Sequence, residues 1–469
     1  MIEQFEYRGI WWLPDNKGEA IAGKLHFDPN EGTVLDLAGS FQKMEDVNRA
    51  PDPEIILGSI SAGKAVGKNV TLYRCRRTKS DLSSVGPSAS TSSFNIYDAF
   101  IGVHFTEKED IRFRKLSIHY SYLDEWVNIH GLNIQRFLDG KEIVIKYSKP
   151  ESICANIGEN YKISIDFEPI VRTFPIMKKE ISVKERTYIT VEASEEKSYD
   201  ECFGIVHQIQ KSLSLWIMEP VYPLTIKGVT ELNKQEMKGK AYYPPVEIYH
   251  GLRDIPKVPE RLLRFDMAFT FKDISGKFEV FLKNWFDKID LLEPVYDLYS
   301  ESLYNPFMSC EHQFLNAIHA LESYHRRTYC GEYLKGEDYE RIRGVLVAAI
   351  PAKVKGAFKD SLKSRIKYGN ELSLRTRLKE IIDKHTVVFT ELIKGKTTFT
   401  NTAVDTRNHY VHRLKERKET VAIGNDLFLL TQQLRILLEI CLLTELGFSP
   451  SEIKSFLPTI LRKKYEYAL

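Results

Sequence analysis

Around residue 407, one short segment gathers side chains able to act on a phosphodiester: Asp405-Thr406-Arg407-Asn408-His409-Tyr410-Val411-His412. A histidine can take the proton of a ribose 2′-hydroxyl or give one to the leaving oxygen. An arginine can grip the scissile phosphate with two parallel N–H donors and offset the charge that develops on it. Arg407 and His412, with the polar Asn408 between them, therefore form a minimal set for cleaving RNA without a metal. The spacing carries little by itself. Among 25 arginines and 12 histidines, chance gives about two pairs separated by four to six residues. Arg114 and His119 have the same spacing in a strand-rich stretch and are read as background.

The surroundings of the segment add weight. Lys353, Lys355, Lys359, Lys363, Arg365, Lys367, Arg375, Arg377 and Lys379 crowd one stretch that contains only Asp360 and Glu371 as acids, and Arg413, Lys415, Arg417 and Lys418 follow the segment directly. Such a concentration suits the backbone of RNA, and a solvated helix face is the competing reading. Residues 301–469 hold 27 Lys plus Arg against 20 Asp plus Glu, a surplus of +7. The first 300 residues hold 39 against 44, a deficit of −5, so the net charge of +2 hides an asymmetry. On an ideal helix Asn408 and His412, four apart, share a face, whereas Arg407 and His412, five apart, point about 140° from each other. Either Arg407 curls round, or residues of two chains combine.

The elements that must carry these residues fall into two textures. Up to about residue 300 the chain reads as short β-branched and aromatic runs punctuated by turn residues. Gly23 to Phe27, Thr33 to Leu37, Val70 to Cys75, Tyr161 to Phe167 and Thr187 to Glu192 are expected strands. A helix is expected from about Tyr199 to Trp216, a mobile loop from Ser83 to Ser93, and a connecting stretch from Lys238 to Pro259. Two subdomains with a break near 150–200 are possible. From Asn305-Pro306 onward the periodicity becomes helical, with Phe314, Ala317, Ile318 and Leu321 at i, i+3, i+4, i+7. Further helices are expected near 338–350, 356–367, 373–386, 402–418 and 425–446, the last closed by Gly447. Ser449-Pro450 opens one more. The fold class is thus α+β and multidomain, with a β-rich region over 1–300 and an all-α bundle over 305–469.

Several classes are set aside. With 43% hydrophobic and 28% charged residues the composition is that of a globular protein. No apolar run reaches the roughly 20 residues of a membrane span, and Met1 to Glu6 lacks the pattern of a secretory signal. The six cysteines are scattered singly, without CxxC or Cys/His clusters, which argues against a disulfide framework or structural zinc and for a reducing cytoplasm. Gly58-Ser-Ile-Ser-Ala-Gly63-Lys64-Ala65 nearly spells a phosphate loop, but Ala65 lacks the hydroxyl for magnesium and the next residues read as strand, so a hairpin is expected. Trp11-Trp12 reads as a strand buried on both faces.

Arg407-Asn408 followed by His412 on a late helix of a small bundle resembles the HEPN superfamily. Phe314-Leu-Asn-Ala-Ile-His-Ala-Leu-Glu-Ser-Tyr-His325 is similar to its first long helix. Phe5-Glu-Tyr-Arg-Gly-Ile-Trp-Trp-Leu-Pro14, the Gly23-Lys-Leu strand and Leu35-Asp-Leu-Ala-Gly39 resemble the N-terminal domain of ApeA-type abortive-infection proteins, which join a β-rich region to a HEPN domain. The resemblance implies a metal-independent endoribonuclease of antiphage defence that needs no cofactor. RNA, with tRNA among the candidates, is the implied substrate. It also implies a homodimer or higher homo-oligomer through the HEPN domain, a phage-derived trigger and no membrane. Carried over, Arg407 and His412 are the catalytic pair, Asn408 is the polar residue between them, and Glu322 matches an acid of the first helix, acting in the chemistry or pairing with Arg407 or Arg326. The expected RNA contacts are Lys353, Lys355, Lys363, Arg365, Lys367, Arg375, Arg377, Arg413, Lys415 and Arg417. His409 is expected at a surface or interface. Two further readings remain: a non-catalytic module binding RNA or protein, and a β-rich ligand sensor whose helices serve oligomerisation.

Overall fold

A computed structural model describes residues 4–28, 31–42, 51–62, 65–81, 90–136, 143–173, 181–251, 262–263, 266–389, 392–393, 395–412 and 419–465. The chain forms two compact units, one of residues 1–217 with 221–279, the other of 218–220 with 280–469.

In the first unit, strands β1 (Phe5–Trp12), β2 (Ile21–Asp28), β3 (Gly32–Leu37), β4 (Ile55–Ala62), β5 (Ala65–Asp81) and β6 (Thr91–Ile101) pair in the order β6-β3-β2-β1-β4-β5. β5 also pairs with β6, closing a barrel and removing free strand edges. Alternate residues point inward, as a period of two requires, and Trp11, Leu25, Leu35, Ile56, Val70 and Phe94 fill the interior. Trp11 fits because two neighbours lack a side chain: a Cβ on Gly58 would lie 2.2 Å, and one on Gly23 2.9 Å, from its ring. Gly58, the first glycine of the apparent phosphate loop, is therefore a packing residue in β4. β4 and β5 pair antiparallel with Ala62 opposite Ala65, as a hairpin demands, while Gly63 and Lys64 lie outside the described residues.

The remaining strands are β7 (Arg112–Tyr120), β8 (Leu132–Arg136), β9 (Ile143–Tyr147), β10 (Ile153–Ile157), β11 (Tyr161–Thr173), β12 (Ile181–Ser198), β13 (Pro223–Val229), β14 (Gln235–Met237), β15 (Lys240–Tyr242) and β16 (Val246–His250). The barrel passes into them without a break. β6 pairs with β3 through Ser92–Ile96 and then with β16 through Asp98–Ile101, and the sheet runs on as β16-β13-β7-β12-β11-β10. Strands on both sides of 150–200 share one twelve-stranded sheet. Helix α1 (Leu123–Val127) follows β7, and α2 (Tyr199–Ile217) packs on β7 and β12 where the expected helix lies. The expected connector from Lys238 to Pro259 contains β15 and β16, the latter inside the sheet, and residues 252–261 lie outside the described set. So do residues 83–89 of the expected Ser83 to Ser93 loop, whose last residues open β6.

The helical texture starts earlier than 305. α3 (Phe271–Ile274), α4 (Phe278–Asp287) and α5 (Ile289–Tyr304) precede that point, and the second compact unit begins at residue 280. Asn305 is the C-cap of α5 rather than the start of a helix. The next helix, α6 (Cys310–Thr328), is capped by Ser309, whose side chain accepts from the His312 N–H. Then follow α7 (Gly336–Ala348), α8 (Gly356–Lys367), α9 (Leu374–Lys384), α10 (Thr386–Phe389), α11 (Lys396–His412), α12 (Gly424–Leu446) and α13 (Pro450–Tyr465). Phe314, Ala317, Ile318 and Leu321 are buried against α5, α9 and α12. α12 is long and apolar enough to cross a membrane, but 72% of its most apolar window is buried, as suits the central helix of a bundle. Gly447 ends it at φ +109°, the left-handed conformation of a C-terminal glycine.

Candidate active site

Helix α11 buries Phe399, Ala403 and Thr406, one stripe at i, i+4, i+7. The stripe fixes where its polar residues go. Arg407 follows the stripe by one position and is half-buried, whereas His412 lies on the far side and is exposed. The start of the segment is fastened. Thr406 Oγ1 accepts from the Ala422 N–H at 2.9 Å, and Asp405 accepts from Thr420 Oγ1 at 2.7 Å and lies 3.9 Å from Arg375.

The helix runs unbroken through the motif, so the 140° between Arg407 and His412 is not removed by a kink. Arg407 curls part of the way: its Nη1 donates to Asn408 Oδ1 at 3.2 Å, and Asn408 shares the helix face of His412. The buried Arg407 Nε–H has no acceptor among the described residues. Among the described residues no carboxylate pairs with Arg407. A half-buried guanidinium ordinarily comes with an acid, so this one is left able to receive an anion. His412 has no protein hydrogen-bond partner among the described residues. The Nδ1 of His409 is buried without one, and its ring meets that of Tyr410 edge-on at 5.3 Å.

Glu322 does not join them. It accepts from Arg326 at 3.2 Å, which also reaches Glu371 at 2.8 Å. This pair belongs to a larger network that motif reasoning missed. Arg377, expected on the RNA surface, is 1% exposed. It donates to the Leu372 carbonyl at 2.9 Å and to His325 Nδ1 at 3.1 Å. An arginine can only donate, so His325 carries its proton on Nε2 and gives it to Glu380 at 2.7 Å. Burial, with the charge of Arg377 adding, pushes the His325 pKa down despite Glu380. Arg377 is therefore an internal clamp between α6 and α9, and this corrects its place among the RNA contacts. Partners 52 and 55 residues apart left no local signal in the sequence.

Lys353, Lys355, Lys363, Arg365, Lys367 and Arg375 are exposed, while Arg413, Lys415 and Arg417 lie outside the described residues. Among the described residues no group of three His, Cys, Asp or Glu side chains gathers as a metal site. The background pair also finds its place: Arg114 lies 3.9 Å from Glu231, and His119 Nδ1 bonds to the Thr187 carbonyl at 2.9 Å.

Residues 6–285 match the family model described as ApeA N-terminal domain 1, and residues 315–452 match the Apea-like HEPN. No curated protein and no solved structure matches the chain.

Proposed function

The chain belongs to the family of the ApeA N-terminal domain, with an Apea-like HEPN domain behind it, and on that premise we propose that it is a metal-independent endoribonuclease of antiphage defence. A HEPN nuclease-type defence protein is the class that this pair of domains suggests; Arg407 and His412 are the residues assigned to the chemistry. The observation that carries the assignment is the state of Arg407: half-buried, and among the described residues without a carboxylate and with its Nε–H unsatisfied.

An imidazole of His412 takes the proton of the ribose 2′-hydroxyl. The freed oxygen attacks phosphorus, and the guanidinium of Arg407 stabilises the charge that builds on the phosphoryl oxygens. The P–O5′ bond breaks, and a second imidazole protonates the leaving oxygen. The products are a 2′,3′-cyclic phosphate and a 5′-hydroxyl. Asn408 holds Arg407 toward the face of His412. Glu322 acts at a distance, by fixing α6 through Arg326.

The angle between Arg407 and His412 on one helix favours a site completed by a second chain, in which a two-fold axis brings another arginine and another histidine to the same phosphate. The β-rich unit, of opposite net charge, is assigned the regulatory part, responding to a phage-derived trigger. Incubation of the purified protein with total RNA tests the reading. Cleavage is expected from the parent and not from His412→Ala, with cyclic-phosphate ends and in the presence of EDTA. Cleavage lost with EDTA and restored by magnesium overturns the metal-independent route, and cleavage retained by His412→Ala overturns the assignment.

A further inference from the structure

His409 takes no part in the reaction as written above, yet it is not a freely solvated side chain. It is half-buried, its ring meets Tyr410 edge-on at 5.3 Å, and Tyr410 lies near Phe314 of α6 with ring centres 6.3 Å apart. Thr406, His409 and His412 recur every three residues along α11. His409 therefore stands midway between a threonine that is 0% exposed and a histidine that is exposed, about 60° round the helix from each.

The two ring nitrogens follow that division. Nδ1 is buried and has no hydrogen-bond partner among the described residues, while the Nε2 edge reaches the surface and no described residue bonds to it. A proton on Nδ1 would be a buried N–H with no acceptor, an arrangement that folded proteins seldom keep. The neutral ring therefore carries its proton on Nε2 and holds one N–H donor outward. Three apart on a helix, His409 and His412 have Cβ atoms about 5–6 Å from each other, close enough for both side chains to meet one phosphate. Arg407, about 140° from His412 and about 160° from His409, does not share that side of the helix. Acid catalysis by an imidazole asks for a proton on both nitrogens, and the buried Nδ1 has no acceptor toward which to direct the second. Donating a hydrogen bond asks only for the proton on Nε2.

We propose that His409 is a further catalytic residue, whose Nε2–H donates to a non-bridging oxygen of the phosphate on which His412 acts and stabilises the charge that builds there. This rests on the ribonuclease reading above. No bond forms or breaks at His409. It gives the phosphate a donor from the same chain as its base, a place that Arg407 of that chain, on the other side of the helix, does not fill.

The full-length parent, His409→Ala and His409→Gln are compared on one synthetic RNA carrying the bond mapped from the total-RNA digest. The scissile phosphate is normal, or has sulfur in place of one or the other non-bridging oxygen. Sulfur is a weak acceptor, so the parent should cut one of the two sulfur forms about tenfold more slowly than the other. His409→Ala should cut the normal RNA about 10²–10³-fold more slowly, and its preference between the sulfur forms should largely vanish. His409→Gln, whose amide N–H takes the place of Nε2–H, should recover part of both. The preference is a ratio within one variant, so a partly unfolded sample does not disturb it. A His409→Ala rate equal to the parent's overturns the proposal. So does a slowed variant that keeps the parent's full sulfur preference, which is what a packing role would leave. A second readout does not depend on cleavage: diethyl pyrocarbonate modifies exposed imidazoles, and mass spectrometry follows its attack on His409. A fully 2′-O-methylated RNA stem-loop, which cannot be cleaved, should shield His409 when added in excess, and unchanged modification overturns the contact. Cleavage retained by His412→Ala fails the nuclease reading instead, and the shielding result still decides whether His409 meets RNA.

Discussion

Each unit of this chain contains an arginine and a histidine five residues apart, and the two pairs have opposite fates. In β7, Arg114 lies near Glu231, and His119 is 12% exposed, bonded through Nδ1 to the Thr187 carbonyl and 3.9 Å from Asp124. In α11, Arg407 has, among the described residues, only the amide oxygen of Asn408 and a buried Nε–H without acceptor, while His412 is exposed. The spacing is identical, so spacing does not separate structure from chemistry here. A buried donor with no acceptor among the described residues does: Arg407 has one, whereas Arg114 is half-exposed beside Glu231.

The largest effect expected from this contrast is on RNA cleavage. Arg407→Ala and His412→Ala should each lower the rate by about 10²–10⁴-fold, while Arg114→Ala stays within twofold, measured on the same RNA. A cleavage defect of comparable size in Arg114→Ala would erase the distinction. Mixing sharpens it: co-expressed Arg407→Ala and His412→Ala chains should form heterodimers that regain measurable activity if one phosphate draws on both chains. A heterodimer as inactive as its parents, or a fully active monomer at high dilution, removes the composite site and leaves the nuclease assignment standing.

Next in size is the contrast within α9, where Arg375 and Arg377 are two residues apart. Arg377→Met orphans His325 Nδ1 and the Leu372 carbonyl inside the unit, and should cost about 3–5 kcal/mol in urea unfolding. Arg375→Ala, at the surface, should cost about 0.5 kcal/mol or less. Similar losses for both would mean that the buried clamp contributes no more than a surface contact.

A pH titration of stability extends the comparison to the buried histidines. Burial, with the charge of Lys384 adding, pushes His385 down to about 4. Its folded pKa lies below the unfolded value near 6.5, so the unfolded chain binds the extra proton as pH falls between them. Stability from this group is present above about pH 6.5 and is lost on acidification toward pH 4, by up to ~3 kcal/mol. His325 is lowered too and acts in the same direction. His385→Gln should flatten the acid limb of the curve, and an unaltered limb would place the sensitivity elsewhere.

The smallest effect concerns the unpaired lysines. Lys363→Gln with Lys367→Gln should reduce the slope of log affinity against log salt by about 0.7 for each phosphate of a single strand that the lysines no longer neutralise. An unchanged slope would show that these exposed cations meet solvent rather than RNA.

The helical unit was largely legible in advance. α8 spans the expected 356–367 and α12 lies within one residue of 425–446, because amphipathic periodicity and terminal glycines are local signals. α11 ends its described span at His412 and begins at Lys396, six residues before the expected start, since Thr and Asn recur through 397–402 and each suits an N-cap. Asn305 misled, because an asparagine before proline suits the end of one helix as well as the start of another. The barrel strands were also visible through alternation, but their closure was not.

Residue types and short-range periods determined, by themselves, that this chain has a strand-rich first part and a helical last part, that Gly58 lies in a strand, and that Arg407 and His412 point apart on a helix. Each follows from backbone geometry within a few residues. Only the tertiary structure decided that β5 returns to β6, that Arg377 is an interior clamp and not a surface cation, and that Arg407 meets no acid among the described residues. Those outcomes depend on partners tens of residues away in the chain. The free energy of a charged side chain is set by what desolvates and what pairs with it, and no local pattern records either.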